Sequence, residues 1–132
     1  MNPTLLRRIF ALASCMAPAS ALIVVAAWSA EPPTKSFTAA DIDFYEKEVR
    51  PVLQANCFKC HGGGDKLKGG LRLTDRDSVL KGGDSGPAVL LDKPGNSRLL
   101  QAINWKDGLE MPPKGKLPAA AITVLTRWVE AG

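Results

Sequence analysis

The sequence predicts an all-α domain of three to four short helices joined by long loops. Three observations carry that expectation. Apolar residues recur near the helical period after residue 38 and again after residue 118. Strand-like alternation is confined to Leu71 and Leu73. Glycines and prolines, 12 and 10 in the whole chain, interrupt it repeatedly, which raises the share of loop.

The first 30 residues stand apart from that domain. Arg7 and Arg8 precede a run from Ile9 to Ala30 with no charged side chain. A positive start, an apolar stretch and small residues at Ala27, Ser29 and Ala30 read as a secretory signal peptide. The run is also long enough to span a bilayer uncleaved, as an N-terminal membrane anchor. Cys15 follows Arg8 too closely for a lipoprotein site, and Arg7-Arg8 reads as ordinary signal charge rather than a twin-arginine signal. Either outcome places the rest of the chain outside the cytoplasm, in the periplasm, free or tethered to the cytoplasmic membrane. Membrane contact is expected only if the segment stays uncleaved.

Residues 31–37, with Pro32 and Pro33, form a linker, and residues 38–132 form the domain. Formal charge is +4 for the whole chain. Without Arg7 and Arg8 the remainder holds 15 basic and 13 acidic side chains, close to balance. No basic stripe is concentrated anywhere, so nucleic acid is not an expected partner.

Thr38 is placed to cap the first helix, with Asp41 as the return half of a capping box. Ile42, Tyr45, Val49 and Val52 or Leu53 then supply its apolar face. Pro51 removes a backbone donor and predicts a kink, and Gly62-Gly63-Gly64 ends the segment. Leu71 and Leu73 predict a short extended piece. Asp75 to Leu80 predicts about two helical turns closed by Gly82-Gly83. Leu67-Lys68-Gly69-Gly70 is echoed by Leu80-Lys81-Gly82-Gly83, which reads as two similar turns. Ser97 to Ile103 predicts a short helix, and 104–116 an irregular segment stiffened by Pro112-Pro113. The last helix is expected from about Pro118 to Ala131, with Ile122, Leu125 and Trp128 or Val129 inward. Gly132 occupies a C-cap position.

A domain of roughly 100 residues has a modest core, and loops this long need something other than protein to pack against. Cys57-Phe58-Lys59-Cys60-His61 supplies the answer, because C-x-x-C-H is the attachment pattern of haem c. Cysteines three apart on a helical turn reach two vinyl groups on one porphyrin edge, and the adjacent histidine meets the iron. A structural zinc site needs a fourth ligand, and the chain after residue 30 has no further cysteine or histidine. A thioredoxin-like pair needs a βαβ context, which is missing.

His61 is the only histidine of the chain, which excludes ligation by two histidines of one molecule. Met111 is the only methionine after the first 30 residues and stands before Pro112-Pro113. It is the candidate distal ligand, and His/Met ligation raises a haem's reduction potential. The Pro87 carbonyl is the candidate acceptor for the second ring nitrogen of His61. Lys59, Lys66, Lys68, Lys114 and Lys116 cluster in sequence around these elements. Around an exposed haem edge they would steer redox partners with acidic docking surfaces; elsewhere they are ordinary solvating charge.

From Phe44 to Gly132 the chain resembles the planctomycete-type cytochrome c domain. The resemblance is carried by Val49-Arg50-Pro51-Val52-Leu53, Cys57 to Gly62 and Lys68-Gly69-Gly70-Leu71-Arg72-Leu73. Lys81 to Ala88, Met111 to Leu117 and Trp128 to Gly132 complete it. It implies a small cytochrome c-like fold wrapped around one covalent haem, with crossing first and last helices and Met111 as distal ligand. The expected function is electron transfer without enzymatic activity. Two alternatives stand beside it. One is the electron-entry module of a larger exported oxidoreductase, of which this chain is a fragment. The other is a haem sensor or peroxidase-like domain with an open sixth position.

Overall fold

The structure is a computed structural model that describes residues 35–64 and 67–132. The expected signal or anchor over 1–30, the first linker residues and Lys66 lie outside the described residues. Among the described residues all regular structure is helical, and Gly83 and Gly86 form one isolated bridge. No helix among them is long and apolar enough to cross a membrane.

Helix α1 (Ala39–Phe44) begins at the expected cap. Thr38 Oγ1 accepts from the Asp41 N–H at 3.2 Å, and Asp41 Oδ2 accepts from the Thr38 N–H at 2.9 Å. The Thr38 hydroxyl, which donates to Asp41 Oδ2 at 2.7 Å, and then the Thr38 N–H hold the Asp41 carboxyl below the usual carboxylate range. The Pro51 kink takes the form of a π-helical turn over Tyr45–Val49, in which the Arg50 N–H reaches the Tyr45 carbonyl. A proline ring clashes with the carbonyl four residues before it, and a wider turn relieves that clash. Helix α2 (Arg50–Asn56) continues from there.

The extra residue in the π turn changes which side chains face inward. Val49 and Leu53 are fully buried, whereas Ile42 is 56% exposed and Phe44 packs against the core. The sequence expectation for Ile42 is therefore corrected: across a π turn, positions five apart rather than four fall on one face.

After Cys57 the helical path restarts as α3 (Phe58–His61). A 3₁₀ turn (Lys68–Gly70) precedes α4 (Arg76–Lys81), which Asp75 caps through the Ser78 N–H at 2.8 Å. A second 3₁₀ turn (Pro94–Asn96) leads to α5 (Arg98–Ile103). Helix α6 (Ala119–Ala131) has Pro118 as its cap rather than its first helical residue, and Gly132 caps its end. α6 packs on the π turn. Leu125 and Val129 join Val49, Leu53, Leu99, Leu100 and Ile103 in one core, and Tyr45 meets Trp128 at 6.0 Å between ring centroids. The first and last helical segments are thus packed together, as the resemblance implies.

The echoed Leu-Lys-Gly-Gly turns dock on each other. The Gly69 carbonyl accepts the Asp84 N–H at 2.8 Å. A Cβ on Gly83 would overlap that carbonyl and come within 2.8 Å of the Leu71 nitrogen. Gly82 has φ +77°, and a Cβ there would overlap the Gly86 carbonyl. Both obstacles are backbone, which yields little. Gly82→Ala is expected to lower stability by about 3 kcal/mol, from overpacking added to a left-handed φ. Chemical unfolding would register this as a lower midpoint, whereas Gly95→Ala, with open space around it, would not.

Candidate functional site

The break at Cys57 positions the attachment residues. Its backbone (φ −121°, ψ −40°) leaves the helix, yet its carbonyl accepts from the Cys60 N–H at 3.1 Å and the His61 N–H at 2.9 Å. Cys57, Cys60 and His61 therefore share one tight turn. Burial pushes the Cys57 thiol up to about 11, so at neutral pH it is a protonated thiol and a poor metal ligand. Both cysteines are free. Among the described residues no three His, Cys, Asp or Glu side chains are grouped to hold a metal ion.

His61 is held from two directions by the extended piece after the first 3₁₀ turn. The Leu73 N–H donates to the His61 carbonyl at 2.8 Å, and His61 Nδ1 lies 3.1 Å from the Leu71 carbonyl oxygen. A carbonyl can only accept, so Nδ1 is the donor, and in a neutral imidazole that leaves the lone pair on Nε2. That is the tautomer an iron ligand requires. The acceptor is Leu71 and not Pro87, which corrects the sequence expectation. Pro87 is an exposed residue of the turn after the Gly83–Gly86 bridge. Two successive backbone contacts from residues 71–73 reach His61 first. No side-chain pattern marks a carbonyl as an acceptor, so the role of Leu71 is not visible in the sequence.

Cys57, Cys60, His61 and Met111 all line one cleft of about 400 Å³. Its remaining surface is mostly apolar, with Leu71, Leu73, Leu99, Ala102, Ile103 and Leu109 contributing. Met111 comes from the irregular segment between α5 and α6 and is 43% exposed. Its backbone N–H donates to the Ala102 carbonyl at 3.1 Å, which ties that segment to α5. The docked glycine turns supply Gly69, Gly83 and Gly86 to the cleft wall. A second cleft of about 270 Å³ lies along α1, α4 and α6, but no cysteine, histidine or methionine lines it.

Lys59, Lys68, Lys114 and Lys116 are exposed, and of these Lys68 lines the cleft. The donor set fits haem c: two thiols on one turn, an imidazole held through Nδ1 by the Leu71 carbonyl, and apolar walls. An all-α fold with a C-x-x-C-H turn opening on such a cleft defines a c-type cytochrome domain. Residues 57–115, from the attachment turn to just past Met111, match the family model described as Planctomycete cytochrome C. That stretch is a planctomycete-type cytochrome c domain, which implies haem c and haem-based electron transfer. No curated protein and no solved structure matches the chain.

Proposed function

We propose that the chain is an exported, non-enzymatic electron carrier that uses one covalent haem c with His61 and Met111 as axial ligands. The observation that supports this most is the convergence of Cys57, Cys60, His61 and Met111 on one apolar cleft. Haem c supplies a one-electron ferric–ferrous couple. Cys57 and Cys60 would form the thioethers, and Leu71 orients His61 so that Nε2 is available. Met111 would occupy the sixth position, which raises the potential and closes the iron to small ligands. Export, through a signal peptide or anchor over 1–30, agrees with haem c assembly outside the cytoplasm. Partners are redox proteins with acidic docking surfaces, drawn by the exposed lysines.

Denaturing electrophoresis of the exported protein, followed by haem staining, tests attachment. A stained band near the mass of the chain is expected, and acid–organic extraction should leave the pigment in place. Pigment that extracts completely would refute the covalent reading. The reduced protein is expected not to bind carbon monoxide; binding would instead support a sensor or peroxidase-like site.

A further inference from the structure

We propose that the second cleft, along α1, α4 and α6, binds a medium-chain fatty acid, and that its occupancy is felt at the iron. The binding site stands apart from the haem reading; the effect at the iron rests on that reading. The cleft holds about 270 Å³, and its walls are apolar, with Phe37, Phe44, Tyr45, Val79, Trp128 and Val129 among them. Val79 and Val129 belong to the buried core. Among the described residues five large apolar side chains are exposed, and three of them, Phe37, Ile42 and Leu91, line this cleft. An exposed apolar patch continuous with an apolar hollow marks a place for an apolar ligand.

The charged groups of the cleft decide what polar end that ligand carries. They are Lys35, Asp41, Asp75 and Arg76. Both carboxylates are committed to helix caps: Asp41 accepts from the Thr38 hydroxyl and N–H, and Asp75 from the Ser78 N–H. Lys35 Nζ donates to the Ala131 carbonyl, and Arg76 reaches the Gly132 carbonyl only at 3.5 Å. An ammonium has three donors and a guanidinium five, so most of their donors have no partner among the described residues. Both cations also lie over the Phe37 ring, at 5.5 and 5.6 Å from its centroid. Two positive charges thus converge on one aromatic wall, which favours an anion there. A carboxylate on an apolar chain satisfies both halves of the site. A neutral chain satisfies one half, and a cationic chain opposes it.

The two clefts share a wall. Leu73 lines both of them. Its N–H donates to the His61 carbonyl, and two residues earlier the Leu71 carbonyl holds His61 Nδ1. Thr74, Asp75 and Arg76 continue the same segment along the second cleft. One stretch of backbone therefore supports the proximal histidine at one end and carries part of the fatty-acid site at the other.

The sign of the coupling follows from charge. A bound carboxylate adds negative charge, which favours the ferric state and lowers the midpoint potential. Coupling between two binding equilibria is reciprocal, so the ferric protein must bind the fatty acid more tightly than the ferrous protein. For a one-electron couple each tenfold difference in affinity corresponds to a shift of about 59 mV.

The test is a calorimetric titration of the exported holoprotein, in each oxidation state, with decanoate, decanol and decyltrimethylammonium. A redox titration with and without decanoate accompanies it. Decanoate should bind at one site about tenfold or more tightly than decanol, the effect of a charge-assisted hydrogen bond, and decyltrimethylammonium should not bind. The double variant Lys35→Gln/Arg76→Gln should bring decanoate down to the affinity of decanol. Leu91→Glu, which adds a carboxylate to the lining, should abolish decanoate binding. All three side chains are exposed, so these variants should keep the wild-type ferric spectrum. Equal affinity for decanoate and decanol, or unchanged decanoate binding in the double variant, would overturn the site. So would association with phosphatidylglycerol vesicles without decanoate binding, which would mark a membrane contact instead. Decanoate affinity that is the same in both oxidation states, with an unmoved potential, would overturn the coupling. Wild-type protein without covalent haem would remove the haem reading alone, because the affinity order of the three probes tests the site without reference to iron.

Discussion

Replacing Cys57 and Cys60 together by serine is expected to leave the exported chain without covalent pigment and largely unfolded. The first effect is chemical, because a serine hydroxyl does not form the thioether. The second follows from the size of the cleft beside the core. The walls of this open apolar cleft of about 400 Å³ lose their packing partner when haem is absent, at roughly 25 cal/mol per Å² of apolar surface left uncovered. A domain of this size has a total stability of about 5–15 kcal/mol. Water entry or collapse of the walls recovers part of that cost, but either one abandons the native arrangement of Leu71, Leu99 and Ile103. Haem staining after denaturing electrophoresis reads the first effect. Far-ultraviolet circular dichroism reads the second, as a loss of helix relative to the wild-type holoprotein. A double mutant that keeps full helicity and a cooperative unfolding transition without pigment would show that the protein core suffices alone. The single mutants should be intermediate, each holding haem through one thioether, His61 and the packing of the cleft.

What was legible in the sequence divides along a physical line. Features that act through a few neighbouring residues were readable. The Thr38–Asp41 capping box, the Asp75-to-Gly82 helix and the C-x-x-C-H turn each carry their geometry within a handful of positions. Features that depend on the path of the backbone were not. Pro51 announced a distortion, but the inserted π residue that turns Ile42 outward and Phe44 inward is a choice among several ways to relieve one clash. The sequence cannot distinguish Pro87 from Leu71 as the partner of His61, because any nearby carbonyl satisfies an imidazole and only the folded chain selects Leu71. The two Leu-Lys-Gly-Gly turns were visible as an echo, yet their docking through the Gly69 carbonyl required both in place. For the candidate ligands, composition did much of the work. With one histidine, and one methionine beyond residue 30, there was little to choose between. The structure adds that these residues face a common cleft.

Met111→Ala is expected to retain covalent haem while opening the iron. The thioethers and His61 are untouched by the substitution, and the cleft wall loses only a half-exposed side chain, so the fold should persist. The ferric protein should lose its sulfur-to-iron charge-transfer band as water replaces the thioether. The reduced form should gain stoichiometric carbon monoxide binding where the wild type shows none. The midpoint potential should fall, because a thioether favours ferrous iron more than water does. The segment carrying Met111 is tied to α5 by its backbone N–H on the Ala102 carbonyl, a bond that alanine preserves. A loss of ligation therefore reports the sulfur itself and not a displaced loop. Lys114 and Lys116 follow in the same segment and offer the nearest alternative donors in sequence. If Met111→Ala keeps the wild-type ferric spectrum and potential, one of them or another group already fills the site. Lys114→Ala and Lys116→Ala would then identify it, and the electron-carrier reading would stand with a different ligand.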